Sequence, residues 1–226
     1  MMHEDIVKLA KDEIANLQRS ILNGSHIKTG DIRKISAKLY KIVPDKSIDV
    51  VLKICEILLE EFNWELGVIA FDWANRTHKY YTIETYDVFY SWLKKYVRGW
   101  GDCDDFCTHA FGQLLIQNKD IFERILNWTK DDDFWVRRAS AVILIPAILK
   151  NDYAGIHPLE IANKLLNDEN DLVCKGYGWM LKSLSKVNEE LVIEYLEEKH
   201  SIMPRVSFRY AIEKINIGKR RYLMGL

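Results

Sequence analysis

Between Trp100 and Cys107 the chain reads Trp-Gly-Asp-Cys-Asp-Asp-Phe-Cys. An indole stands four residues ahead of Asp104, and residues four apart on a helix share a face. A fixed carboxylate beside an aromatic ring suits the recognition or stabilisation of a positive charge, because carboxylate and ring face both attract a cation. Two readings of Asp104 stand at this point. It is either the working carboxylate of such a site, or an acid of the kind that helix starts attract through their exposed N–H groups. Asp102 and Asp105 are rivals: on a helix Asp105 is turned roughly 100° from Asp104, and Asp102 faces away from it. Trp100 has the same duality, since packing in a core is the usual work of a tryptophan at helical spacing.

The elements that must carry this stretch all read at helical period. Residues 4–22 put Ile6, Leu9, Ile14, Leu17 and Ile21 on one stripe, with a stop at Asn23-Gly24-Ser25. Further helices are predicted over 30–43, 46–61 and 64–76, and an aromatic one over Thr82–Val97 with Tyr86, Phe89, Tyr90 and Trp92. Gly99 breaks that helix, and one opening at Trp100 runs toward Ile116. Then come 118–129 with 134–149, 158–167 with 171–185, and 188–199 with 204–215, followed by a basic tail. Pro146 kinks or ends its helix, and the acids Asp131 to Asp133 suit a helix N-terminus. No alternating strand pattern survives, so the class is all-α.

Three of these helices begin alike: Phe134-Trp-Val-Arg-Arg-Ala139, Asp171-Leu-Val-Cys-Lys-Gly176 and Pro204-Arg-Val-Ser-Phe-Arg209. Trp64-Glu-Leu-Gly67 is a weaker copy. A period of roughly 33 to 37 residues falls near that of HEAT-type repeats, which stack into an α-solenoid (a superhelix) whose second helices line its concave face. The expectation is a single HEAT-like repeat domain over 1–226, with about six antiparallel helix pairs and a short basic C-terminal tail. Those second helices carry Arg137, Arg138, Lys175, Lys182, Arg205 and Arg209. With a net charge of −1 the molecule is no polycation, so binding to nucleic acid requires these residues to gather on one basic concave face. Each of them also has the plainer reading of a solvated charge or a bridge between repeats. Trp64, Trp73, Trp92, Trp128 and Trp135 read as core.

At these residues the chain resembles a family. Trp135-Val-Arg-Arg-Ala139 resembles a helix start of the AlkD-like DNA alkylation repair glycosylases. Gly178-Trp179 and the run Arg205 to Lys214 resemble that family's C-terminal repeats, and Trp100-x-x-x-Asp104 resembles its catalytic segment. The resemblance extends over about residues 30 to 215. It implies HEAT-like repeats cradling duplex DNA, and hydrolysis of the N-glycosidic bond of N3- and N7-alkylated purines, whose bases are cationic. It also implies no flipping of the base into a pocket, unlike most glycosylases. Asp104 then corresponds to the catalytic aspartate, Trp100 and Trp179 to tryptophans at the lesion's sugar and backbone, and Arg138 to the arginine beside them. Lys182 stands where the family usually has arginine, which keeps the charge but not a bidentate grip. Gly101 and the doubled acid Asp104-Asp105 also depart from the family pattern. Lys175, Arg137, Arg205 and Arg209 would add phosphate contacts, and a monomer is implied.

Other classes find no support. The sequence has no Gly-rich phosphate loop, HExxH or serine elbow. Its six histidines lack ligand spacing; His109, roughly two turns along from Trp100–Cys103, reads as surface or core, with a place near the site as the alternative. The four cysteines lack CxxC spacing and read as small buried residues of a reducing compartment. No metal and no cofactor is expected. The acidic N-terminal start and the lack of a run of roughly 20 apolar residues point to a cytoplasmic protein without a membrane segment. The reading is a monofunctional alkylpurine DNA glycosylase acting on duplex DNA. The alternative is a catalytically silent HEAT-repeat scaffold for DNA structures or proteins.

Overall fold

The computed structural model describes residues 3–20 and 27–226. The expected stop at Asn23-Gly24-Ser25 and Ile21 of the first stripe lie outside the described residues. Among the described residues every regular element is helical, so the all-α expectation holds. The chain divides into two compact units, residues 1–110 and 111–226.

Unit 1 holds α1 (His3–Ser20), α2 (Thr29–Tyr40), α3 (Ile48–Leu59), α4 (Trp64–Arg76), α5 (Thr85–Tyr96) and α6 (Trp100–Thr108). α4 is its centre. It packs against α2, α3 and α6, and it is buried from Leu66 through Ala74 without a break. Asn63 starts it, its Oδ1 accepting from the Leu66 N–H at 3.0 Å, which satisfies one of the donors that a helix start leaves open. The aromatic residues of α5 form the floor under α6. Phe106 stacks on Phe71 at 4.5 Å and meets Phe89 edge-on at 5.3 Å, and Phe89 lies 5.5 Å from Trp92. Burying each such ring contributes about 1.5–3 kcal/mol, enough to fix where α6 lies.

The helix expected from Trp100 toward Ile116 is in fact two. α6 ends at Thr108, and His109 takes φ −120° and ψ −95° before α7 (Ala110–Gln117) begins. The reason is local competition for carbonyls. Thr108 Oγ1 donates to the Asp104 carbonyl at 2.7 Å, and His109 Nδ1 lies 2.8 Å from the Asp105 carbonyl.

Unit 2 continues with α8 (Phe122–Trp128), α9 (Phe134–Val142), α10 (Ile145–Leu149), α11 (Pro158–Leu165), α12 (Asp171–Leu184), α13 (Glu189–Lys199), α14 (Arg205–Ala211) and α15 (Ile217–Met224). The break near Pro146 appears as the gap between α9 and α10, with Pro146 in the first turn of α10. The basic tail expected after 215 forms α15. The three similar helix starts open α9, α12 and α14, and α12 packs against both of the others. Two of them are capped identically: Asp133 Oδ1 accepts from Trp135 N and Asn170 Oδ1 from Leu172 N, both at 2.9 Å. All four cysteines are buried.

Candidate active site

A cleft of about 870 Å³ opens in unit 1. Its walls come from Phe62 in the turn between α3 and α4, from Trp64 and Val68 at the start of α4, from Ile27 and Thr29 ahead of and at the start of α2, and from residues 98–108. Trp100, Asp104 and Thr108 all line it, the three residues that a spacing of four puts on one strip of α6. Trp100 is 64% exposed. The neighbouring strip of α6, turned roughly 100° from it, is Cys103, Phe106 and Cys107, all fully buried. The aromatic character of the cleft goes beyond Trp100. Phe62 is 62% exposed, and its φ of 49° is a left-handed conformation that a bulky residue seldom adopts. Trp64, expected in the core, is 36% exposed and lines the cleft.

Charge in the cleft is mostly negative, from Asp102, Asp104 and Asp105. The lining cation, Arg98, is turned to the end of α5, where its guanidinium donates to the carbonyls of Lys94, Lys95 and Val97, a favourable place for a cation. The three carboxylates sit in different environments. Asp102 accepts from the Arg98 backbone N–H at 3.2 Å and serves the first turn of α6. Burial raises its pKa above the ordinary carboxylate range, against the pull of the Arg98 and Gly99 backbone donors. Asp105 is turned to α2, where Arg33 Nη2 binds its Oδ1, and only 11% of its side chain is exposed. Burial raises its pKa as well, with Arg33 and His109 acting in the opposite sense. Asp104 remains on the strip with Trp100.

Behind Asp105 lies a chain of polar side chains that sequence reasoning missed. Arg33 Nη1 reaches Asp72 Oδ1 on α4 at 3.3 Å. Asp72 Oδ2 accepts from Ser36 Oγ and from Arg76 Nε, the latter at 2.9 Å. His109 Nε2 is 3.4 Å from Arg33 Nη2. The sequence does hold a signal for it. Asp72 is an acid inside the apolar run Gly67-Val-Ile-Ala-Phe-Asp-Trp-Ala74, and such an acid needs a partner.

The remaining candidates belong to unit 2. Arg138 is 5% exposed, and its Nη1 donates to the Leu172 carbonyl at the start of α12. Arg137 Nε binds Asp168 at 2.6 Å, and its Nη1 donates to the carbonyls of Asp131 and Asp132. Arg137 thus ties the acidic loop ahead of α9 to Asp168. Trp179 is half-buried on α12. Lys182 pairs with Glu213 at 3.1 Å and stands 5.5 Å from the Tyr210 ring. Lys175 pairs with Asp171 at 3.3 Å. Arg205 and Arg209 are exposed on α14. Of the tryptophans expected in the core, Trp73, Trp92 and Trp128 are buried, and Trp135 is half-buried beside Phe134, 4.5 Å away. Among the described residues no group of three or more metal-ligating side chains gathers, and no helix is long and apolar enough to cross a membrane.

Comparison with known proteins bears on what such a cleft belongs to. No curated protein matches the sequence. A solved structure described as a predicted DNA alkylation repair enzyme from Enterococcus faecalis is similar at a TM-score of 0.67, with 15% identity over 93% of this chain and 96% of that one. The alkylpurine DNA glycosylase AlkC of Pseudomonas fluorescens, solved bound to DNA containing an abasic site analogue, is similar at a TM-score of 0.53 and 17% identity. That match takes in 97% of this chain and 60% of AlkC. At these identities the likeness is one of fold, an all-α helical-repeat fold. Sequence carries the assignment further, because residues 12–215 match the family described as DNA alkylation repair enzyme. The matched span runs through α6, α9, α12 and α14, and the chain belongs to the DNA alkylation repair enzyme family.

Proposed function

We propose that this chain is an AlkD-like, monofunctional DNA glycosylase that hydrolyses the N-glycosidic bond of N3- and N7-alkylated purines in duplex DNA. The observation that supports it most is the shared strip of α6: Asp104 and the exposed ring of Trp100 line one cleft whose charged groups are mainly carboxylates. An alkylated purine carries a positive charge. Breaking its C1′–N bond sends the bonding pair to the base, which leaves neutral, and the charge moves to the sugar. A carboxylate fixed beside the sugar stabilises that oxocarbenium-like cation, and it does so more strongly once bound DNA displaces water from the cleft. Water then adds at C1′ and gives its proton to Asp104. The products are the free base and an abasic site.

Trp100 stabilises the same cation through its ring face, and the base stays in the duplex. To Trp179 and Arg138 we assign contacts with the sugar and backbone of the lesion strand, as the family resemblance implies; for Arg138, 5% exposed, this requires its guanidinium to leave the Leu172 carbonyl. Arg205 and Arg209, exposed on α14, supply phosphate contacts, with Lys182 and Lys175 adding charge that their acidic partners partly offset. Arg137, held by Asp168, has the smallest share. Residues 1–226 act as one HEAT-like repeat domain and as a monomer, without metal or cofactor. The test is release of 7-methylguanine or 3-methyladenine from methylated duplex DNA by the purified chain. Binding of DNA without release would favour the silent scaffold instead.

A further inference from the structure

We propose that Arg33 and Asp105 are positioning residues, a clamp from α2 that sets the rotation of α6 so that Asp104 and Trp100 face the cleft. The inference rests on the glycosylase reading above and concerns the groups that hold its carboxylate in place.

α6 is a short helix, and its apolar anchor lies on one side only. Cys103, Phe106 and Cys107 are fully buried, with Phe106 stacked on Phe71 of α4. Apolar contact alone tolerates rolling of a helix about its axis, because it is not directional. Asp105 points roughly 100° from Asp104 and roughly 160° from Cys103 on the helix circumference, so a grip on Asp105 resists that rolling from the far side. Arg33 provides the grip. Its planar fork takes Asp105 of α6 with Nη2 and Asp72 of α4 with Nη1. Asp72 is itself held by Ser36 of α2 and by Arg76 of its own helix. At the other end His109 closes the arrangement, with Nδ1 near the Asp105 carbonyl and Nε2 near Arg33. Three helices are therefore tied at Arg33, which holds the residue that follows Asp104.

The arrangement is a poor way to gain stability. Asp105 Oδ2 is buried without a hydrogen-bond partner, and burial disfavours the ionised form of this acid. A buried ion pair is often matched or exceeded in stability by apolar side chains of similar volume. What such side chains cannot supply is the directionality of a guanidinium fork. The clamp also keeps the second acid of the Asp104-Asp105 pair turned onto Arg33, so that the two neighbouring carboxylates serve different ends.

The experiment compares the wild-type chain with Asp105→Asn, Arg33→Lys and the double variant Arg33→Met with Asp105→Leu. Single-turnover release of 7-methylguanine, affinity for methylated duplex DNA and thermal midpoint are measured for each. Asp105→Asn should slow release by roughly ten- to a hundredfold, as loss of an orienting partner does elsewhere, with DNA affinity within about twofold of wild type. Arg33→Lys should fall in between, since an ammonium cannot fork to both acids. The double variant should melt no lower than wild type yet release base as slowly as Asp105→Asn, a separation that a merely structural role would not give. Wild-type rates in the double variant would overturn the proposal, as would rate, affinity and midpoint falling together. Complete loss in Asp105→Asn with Arg33→Lys unimpaired would make Asp105 the acting carboxylate and overturn it too. A wild-type chain that releases no base would remove the glycosylase reading and this inference with it, whereas an active wild type with unaffected variants would remove the inference alone.

Discussion

The indole of Trp64 lies over Gly101 so closely that a Cβ on that residue would stand 2.8 Å from Nε1 and 3.4 Å from Cδ1. The ring fills the space that a side chain at this position would take, which accounts for the glycine between Trp100 and Asp102. Trp64 is thereby a wall of the cleft and a stop against the first turn of α6.

A methyl group here sets two effects against each other. Replacing glycine by alanine inside a helix gains about 1 kcal/mol, less in a first turn. Forcing a rigid indole aside costs about 1–3 kcal/mol. We expect Gly101→Ala to lower unfolding free energy on balance, measured by urea denaturation, and to slow base release at a temperature where the variant is still folded. A variant as stable as wild type would mean that Trp64 is free to move.

Asp102 gives a dependence on pH. Burial raises its pKa in the folded state, so the folded chain holds this proton more tightly than the unfolded one. The stability this group contributes is fully present below its unfolded-state pKa and is lost as pH rises through the raised folded value. Asp102→Asn keeps an oxygen for the Arg98 N–H but cannot ionise. Its melting temperature relative to wild type should therefore rise from acid to neutral pH. A relative melting temperature that falls over the same range would contradict the burial argument.

In unit 2, Gly178 is the close-approach point of α12 and α14. A Cβ there would meet Tyr210 Cβ at 2.8 Å and the Ser207 carbonyl oxygen at 2.9 Å. Two of the nearest atoms belong to backbone, so little can give way. Gly178→Ala should cost about 2 kcal/mol or more, seen as a lower denaturation midpoint with an unchanged slope. An unchanged midpoint would show that α14 moves without penalty.

Much of this fold was legible because helical period and caps are local signals. The bounds of α4 agree with the sequence expectation at both ends, and the repeated starts at Phe134, Asp171 and Arg205 each open a helix. The break at His109 was not legible, because it depends on Thr108 and His109 capturing carbonyls one turn back, while the apolar pattern runs on through it. At the site, the spacing of four was enough to place Trp100 and Asp104 on one strip. Phe62 and Trp64 escaped because a tryptophan in a helical pattern defaults to core, and only the tertiary fold brings the α3–α4 turn to α6. Arg33 escaped because a charge next to an apolar stripe reads as solvated until its partners, 39 and 72 residues away, are known.

The most direct measurement is single-turnover release of 7-methylguanine from methylated duplex DNA by wild type and by Asp104→Asn, with DNA affinity followed in parallel. Removing the charge while keeping the shape should slow release by about a hundred- to a thousandfold or more, by analogy with the loss of other fixed transition-state electrostatics. Affinity and melting temperature should stay near those of wild type. Full activity in Asp104→Asn would contradict the assignment of the acting carboxylate.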